Sequence, residues 1–526
     1  MHSIFKWISQ YRLPILSGIL IGTSYIPFPP HTLFFCLVPL LIYCLEHPRP
    51  RQVWIAGWIT QFLLTLIGFH WVGHTAHAFG HMPWVLSLPI LFAFCSLAHL
   101  HIPIAAWLWS QIYRRLELSR GQSLALLVAL FSLCEYYFPA IFPWNFGYPW
   151  FWNQLGGYHW ADVIGFAGLS SLTFVINALI AMAWVKRHNL RLAGAWVAAA
   201  IVMVIVLNWS GWRHGEIWQH TDTTLKLTAV QPNIGNLEKE YAQHGQGYQT
   251  WILERQIALS ESALVHDPDS RLVIWPETAY PDYLEPDVRR PDMAATLTTY
   301  IHNANVALLT GAYSIDKMSN REYNGLFLIN RQGEMMAPPY RKSILLAFGE
   351  YFPFGDWFPI LYRLVPVVSN FGRGSGPTIL DFEGVKIGPQ ICYEGLYPEF
   401  SAKLAELGAE MIVNTTNDSW FGSTFEPLQH LYMTLGRGIE TRRPVIRVTN
   451  TGISTAMLAS GEVLEHSPLE HEWTHTYAIH YLSHPPLTFF SQHHQWYPFF
   501  WLAFITLILI LRLTRRLRSS AYDKSR

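Results

Sequence analysis

Ile387-Gly388-Pro389-Gln390-Ile391-Cys392-Tyr393-Glu394 is a largely apolar run that ends on a thiol, a phenol and a carboxylate. Such a run reads as a strand whose edge carries polar side chains. Of the five cysteines, Cys36, Cys44, Cys95 and Cys134 fall in hydrophobic stretches near the N-terminus, so only Cys392 is placed where polar chemistry surrounds it. There is no CxxC pair and no His/Cys cluster of zinc-site spacing, so neither a disulfide framework nor a metal site is expected.

On both sides of this run the texture is that of a water-soluble α/β domain. Short β-rich runs at Leu225–Gln231, Arg271–Trp275, Val306–Gly311, Gly325–Asn330, Lys386–Cys392, Glu410–Thr415, Val445–Thr449 and Ser454–Leu458 alternate with helical patterns. The helices are expected at Tyr248–His266, Pro291–Asn303, Pro398–Leu407 and Pro427–Thr441. This alternation predicts sheets covered by helices. One stretch, Trp357–Val368, interrupts it, being too hydrophobic for an exposed loop and too broken by proline for a core helix. It reads as core or as a lid resting in a membrane, with Trp357, Phe358 and Leu361 as its candidate access residues.

The flanks are of another kind. The 526-residue chain is 51% apolar and only 14% charged, against roughly 25% charged in soluble domains. Seven apolar stretches near Leu13–Phe28, Thr32–Leu45, Val53–Val72, Trp84–Tyr113, Gln122–Ala140, Val163–Val185 and Leu192–Asn208 precede the soluble domain. An eighth, Tyr497–Leu511, follows it. Most approach the about 17–25 residues that cross hydrocarbon. The expected fold class is therefore a polytopic α-helical membrane bundle of eight spans carrying an α/β domain, divided as residues 1–212, 213–490 and 491–526.

Lys6 and Arg12, Arg49 and Arg51, Arg114, Arg115 and Arg120, and Lys186, Arg187 and Arg191 occupy alternate loops, and Arg512, Arg515, Arg516 and Arg518 follow the last stretch. By the positive-inside rule both termini are cytoplasmic and the soluble domain lies outside. The 36 basic and 36 acidic residues cancel, which argues against nucleic acid as a partner. Two polar features remain in the apolar part. The segment Pro143-Trp144-Asn145-Phe146-Gly147-Tyr148-Pro149-Trp150 reads as an interfacial aromatic belt or a lipid headgroup site, and Glu135 as an intramembrane functional group or one that snorkels from its span's end.

Three polar residues stand at the edges of β-like runs: Glu277, Lys342 and Cys392. Together they meet the needs of acyl transfer. A thiol of pKa about 8.5 is mostly protonated at neutral pH and needs a base. A carboxylate supplies one, and an ammonium with backbone amides stabilises a tetrahedral oxyanion.

As an ordered set, Trp275-Pro276-Glu277-Thr278-Ala279, Lys342 followed by Phe348-Gly349-Glu350-Tyr351, and Cys392-Tyr393-Glu394 resemble the Glu-Lys-Cys signature of the nitrilase, or carbon-nitrogen hydrolase, superfamily. With spans on both sides, the chain resembles the apolipoprotein N-acyltransferase family. Asn417-Asp418-Ser419-Trp420-Phe421-Gly422, Gln429-His430, Arg443-Pro444 with Arg447, and Asn450-Thr451-Gly452 are similar to later motifs of that family. The resemblance implies a nitrilase-like α-β-β-α sandwich on the bacterial inner membrane, facing the periplasm. It implies transfer of an acyl chain from a phospholipid to the N-terminal, diacylglyceryl-modified cysteine of an apolipoprotein, through a thioester on Cys392 and without a cofactor. Glu277 would be the general base, Lys342 the oxyanion partner, and Glu350, Glu394 and Tyr393 supporting groups. The partners expected are membrane lipids and the apolipoprotein, for an enzyme that is a monomer. Leu345-Leu346-Ala347-Phe348-Gly349-Glu350 departs from the family by Ala347, where a proline is usual, which leaves loop rigidity open. The rival readings are a membrane-tethered amidase or nitrilase and a transporter or receptor with an outer ligand-binding domain.

Overall fold

The computed structural model describes residues 2–116, 118–235, 247–364 and 368–524. The chain forms two compact units, Met1–His214 with His493–Arg526, and Gly215–Gln492.

The first unit is helical. Among the described residues four helical stretches are long and apolar enough to cross a membrane: Trp84–Leu116, Gly156–Val185, Leu190–Gln219 and Phe489–Thr514. A fifth is added if Pro50–Gly68 and Trp71–Ala78, bent by 57°, form one span. The stretch expected as a span at Thr32–Leu45 is a series of turns leading into a nine-residue helix, Val38–Glu46. At 1.5 Å per residue that helix covers only about half of a hydrocarbon core. The final helix is tied to the helix His101–Leu116 by a hydrogen bond from Arg512 Nε to the Leu116 carbonyl, 2.7 Å.

Two expectations in this unit are corrected. Trp144, Phe146, Tyr148 and Trp150 are all buried, so they form neither an interfacial belt nor an open headgroup site. Tyr148 stacks on Phe166 with centroids 4.7 Å apart, and Trp150 Nε1 donates to Thr173 Oγ1 at 2.9 Å. These rings fill the bundle because indole and phenol bury large apolar area while their polar tips find partners. Glu135 does not snorkel: both carboxylate oxygens are buried, near Ser170 and the Phe146 peptide.

In the second unit, the first sheet contains β1 (Thr223–Gln231), β2 (Leu272–Ile274), β3 (Tyr280–Tyr283), β4 (Ala307–Asp316), β5 (Arg321–Ile329), β6 (Tyr340–Arg341) and β12 (Trp473–Tyr481). Its order is β12-β1-β2-β4-β5-β6, with β3 also on β4. The second sheet contains β7 (Leu380–Phe382), β8 (Val385–Ile391), β9 (Met411–Thr416), β10 (Val445–Thr449) and β11 (Thr455–Met457), in the order β11-β10-β9-β8-β7.

Each sheet has a parallel centre, β1-β2-β4 in one and β8-β9-β10 in the other. Parallel neighbours need a crossover, and the helices Tyr248–His266, Pro291–Ala304, Pro398–Glu406 and Glu426–Thr441 supply it. Strands β2, β9 and β10 are buried along their whole length, which is why they read as continuous apolar runs. Leu253, Met293, Leu297 and Ile301 from the first two helices pack with Val273, Trp275, Leu308 and Phe327 of the first sheet. The sheets are joined by a buried amide: Gln231 Oε1 in β1 accepts from Thr449 Oγ1 in β10 at 2.9 Å and from Ser454 Oγ at 2.6 Å.

Candidate active site

The elements above place three strand ends together. Glu277 follows β2, Lys342 follows β6, and Cys392 follows β8 from the opposite sheet. Strand ends suit this work because the ladder fixes the backbone up to the last residue, and the next side chain is free to turn toward a common point.

Lys342, 1% exposed, is the centre of the polar contacts. Its ammonium donates to Glu350 Oε1 at 2.8 Å and to Glu277 Oε1 at 3.2 Å. Burial alone would depress this ammonium, but Glu277 and Glu350 outweigh it and hold the group well above its ordinary pKa. Lys342 is therefore a fixed cation. Glu277 is held from three sides: its Oε1 also accepts from Asn324 Nδ2 at 2.6 Å, and its Oε2 accepts from the Asn417 peptide N–H at 2.9 Å. That leaves it oriented by neighbours on three different strands or loops.

A close backbone approach makes this possible. A Cβ on Gly311 of β4 would lie 2.5 Å from both the Pro276 carbonyl and the Thr278 N, and 2.7 Å from Glu277 Cα. Gly311→Ala must displace the Glu277 turn. Activity is expected to fall on the order of 10²-fold, the effect of about 1 Å of misplacement, as a turnover assay would show; an alanine variant with wild-type turnover would contradict the placement.

Cys392 opens a 3₁₀ turn, Cys392–Leu396, and its φ of 52° lies in the left-handed region. For a non-glycine residue this costs about 1–3 kcal/mol and is kept only where surroundings enforce it. Cys392 as a whole is 9% exposed. Burial pushes its pKa well above the ordinary value, Glu277 adds to the rise and Lys342 opposes it. At rest Cys392 is a thiol, within electrostatic reach of both a carboxylate and an ammonium.

Glu394 does not join that group. Its Oε1 accepts from Tyr340 OH at 2.6 Å, Ser343 N at 2.7 Å, Ser343 Oγ at 2.9 Å and Ile344 N at 3.1 Å, and its Oε2 from Ile391 N at 2.9 Å. It ties the residues after Lys342 to the strand before Cys392. Glu394→Gln keeps the shape but turns an amide N–H₂ toward a peptide donor. A stability loss of about 2–4 kcal/mol is expected, read as a lower thermal midpoint; an unchanged midpoint would show that the clamp is dispensable.

Glu350 closes its own loop, since its Oε2 accepts from Leu346 N at 2.8 Å while its peptide N–H bonds the Leu346 carbonyl at 2.9 Å. The loop is thus fixed with Ala347 in place of proline. Tyr393 is buried and its hydroxyl accepts from Tyr397 OH at 2.8 Å. Trp357 and Phe358, 76% and 58% exposed, are not core; among the described residues the helix within this stretch is Ile360–Leu364, and the side chain of Leu361, like residues 365–367, lies outside them.

Asn324 and Gly311 carry no signal in a single sequence beyond being a polar and a small residue in buried strands. Among the described residues Asp418, Glu426 and His430 form a buried cluster of metal-capable groups. Its positive charge comes from the protein, because Arg447 NH2 lies 2.6 Å from Asp418 Oδ2 and 3.3 Å from His430 Nδ1.

Residues 226–482 match the carbon-nitrogen hydrolase family and residues 17–179 match the apolipoprotein N-acyltransferase N-terminal domain. An apolipoprotein N-acyltransferase of Bdellovibrio bacteriovorus is 47% identical over 93% of this chain and 91% of its own length. The chain belongs to the apolipoprotein N-acyltransferase family. A relative of that name from Geobacter metallireducens is 29% identical over 88% of each chain. Saccharomyces cerevisiae Nit3, a member of branch 10 of the nitrilase superfamily, aligns with a TM-score of 0.39 at 16% identity, covering 52% of this chain and 95% of its own.

Proposed function

We infer that this apolipoprotein N-acyltransferase family member moves an acyl chain from a phospholipid to the amino group of a diacylglyceryl-modified apolipoprotein, with Cys392 as the carrier. The observation that carries the reading is a buried thiol set beside a carboxylate and a fixed ammonium, Glu277 and Lys342.

Glu277 takes the proton of Cys392 as the sulfur attacks the ester carbonyl carbon. Lys342, with a backbone amide, holds the oxyanion. Collapse breaks the ester C–O bond, the proton passes from Glu277 to the departing lysophospholipid oxygen, and a thioester remains. In the second half the lipoprotein amine attacks that thioester, Glu277 accepts the amine proton, and the sulfur leaves and is reprotonated. Glu350 keeps Lys342 in place throughout. No cofactor enters either half.

The setting is the bacterial inner membrane, with eight crossings, cytoplasmic termini and a periplasmic catalytic domain. The alternation of basic loops supports it, as does the bond between Arg512 and Leu116, which brings two basic helix ends together. The Thr32–Glu46 segment then crosses as turns plus helix. Both substrates are lipid-anchored, and a soluble enzyme would expose acyl chains to water at about 0.8 kcal/mol per CH₂.

The exposed rings of Trp357 and Phe358 suit a lipid-facing entrance, since contiguous exposed apolar surface marks a contact with membrane or partner. Trp357→Asp combined with Phe358→Asp should slow acyl loading from vesicles by about tenfold or more; loading at the wild-type rate would remove these residues from the entry path.

The reading is tested by incubating the protein with phospholipid vesicles and a diacylated lipopeptide. N-acylated lipopeptide is the expected product. Release of ammonia from small amides with no acyl transfer would place the protein among the hydrolases instead.

A further inference from the structure

The peptide carbonyl of Cys392 is held by a side chain that lies outside the Glu277, Lys342 and Glu350 contacts. Asn414, in β9, donates its Nδ2–H to that carbonyl at 3.1 Å. Asn414 Oδ1 accepts from Arg447 NH1 at 3.1 Å, and Arg447 NH2 donates to Asp418 Oδ2 at 2.6 Å. Asp418 Oδ1 stands 3.0 Å from His430 Nδ1. The contacts therefore run from the Cys392 carbonyl through Asn414, Arg447 and Asp418 to His430.

Each member is inside the protein: Asn414 and Arg447 are 0% exposed, Asp418 2% and His430 4%. The groups facing His430 are Asp418, Arg447 at 3.3 Å and Glu426 Oε1 at 3.6 Å. His430 Nε2 is buried and makes no hydrogen bond. A buried ring nitrogen without a partner is uncommon. Room for Asp418 is made by Gly452, where a Cβ would lie 2.1 Å from Asp418 Oδ2. A structural salt bridge alone needs no contact with the nucleophile's backbone, which Asn414 makes.

We propose that Asn414, Arg447, Asp418 and His430 form a positioning chain for the nucleophile: His430, Asp418 and Arg447 hold Asn414, and Asn414 holds the Cys392 carbonyl, so that the residue keeps its left-handed backbone and its thiol stays in reach of Glu277 and Lys342. This chain of contacts rests on the reading of Cys392 as the acyl carrier. Its work is geometric, so it governs the rate of thioester formation and not the binding of lipid.

The test compares wild type, His430→Leu, His430→Gln and Asn414→Leu in the full-length protein, in phosphatidylethanolamine and phosphatidylglycerol vesicles. The rate of thioester formation on Cys392 is followed by mass against lipid concentration, and thermal midpoints are recorded alongside. His430→Leu should lower the maximal loading rate by about tenfold or more, with the half-saturating lipid concentration within about twofold of wild type. His430→Gln, which keeps a donor, should recover to within about threefold of wild type. If His430→Leu does not fold, Asn414→Leu must show the same split between rate and half-saturation. Wild-type loading in the folded leucine variants, or a glutamine variant no better than leucine with losses that track thermal stability, would overturn the positioning chain. Absence of any thioester in the wild type would overturn the carrier reading itself.

Discussion

Glu277→Gln is expected to slow thioester formation by about 10³-fold while making Cys392 easier to alkylate. The first effect follows from loss of the proposed base: general acid–base groups contribute about 10²–10⁴-fold, and a glutamine at that position accepts no proton. The second follows from charge. Burial and the Glu277 carboxylate both raise the thiol pKa, and Lys342 lowers it. Removing the carboxylate leaves the ammonium with less competition, so the thiolate appears at lower pH. Iodoacetamide labelling followed against pH should therefore shift to lower pH in the variant just as acyl loading collapses. A merely structural Glu277 would move both rates in the same direction, and that outcome would remove it from the proton path.

Lys342→Met has the other large effect, and it acts on both chemistry and fold. The ammonium that would meet the oxyanion is lost, and removal of one such donor costs about 10²–10³ in rate. Glu277 and Glu350, 6% exposed each, are then left facing one another without the cation that both contact. Breaking a buried ion pair from one side costs about 3–5 kcal/mol. Two facing carboxylates without their shared cation repel, so the variant should lose thermal stability as well as rate. Thermal midpoints, beside the loading rate, give the check. A variant with wild-type midpoints and loading would show that Lys342 is neither anchor nor oxyanion partner.

Much of the second unit was legible in the sequence because its central strands are parallel and doubly buried. Val445–Thr449 and Tyr248–His266 fall where composition and period put them. The nine-residue strand Trp473–Tyr481 was not, because Thr474, His475, Thr476 and Ala478 dilute the apolar signal on an edge strand whose burial alternates only over its last residues. In the first unit apolar runs locate helices but not their breaks: Trp84–Tyr113 splits between Leu97 and His101, and Thr32–Leu37 turns before Val38 begins a helix. The aromatic segment Trp144–Trp150 was misread for a related reason. Composition places tryptophan and tyrosine at an interface, and only packing shows that these rings point inward.

At the site, Glu277, Lys342 and Cys392 were legible as residue types in a recognisable order, and the structure brings them to one place. Their supports were not legible. Asn324, the Asn417 peptide and Gly311 act through contacts between chain segments far apart in sequence, where spacing carries no information. The distinction between Glu350, which touches Lys342, and Glu394, which binds five donors elsewhere, is likewise one of geometry.

Intact-mass analysis of the full-length protein, incubated with a phospholipid of defined acyl chains and no lipopeptide, separates an acyl-enzyme route from direct transfer. A mass increase equal to one acyl group less one hydrogen is expected. It should be removable by hydroxylamine, map to Cys392, be absent in Cys392→Ser and be discharged when a diacylated lipopeptide is added. An unmodified wild-type protein that still N-acylates the lipopeptide, or an adduct on any residue other than Cys392, would contradict the acyl-enzyme route through Cys392.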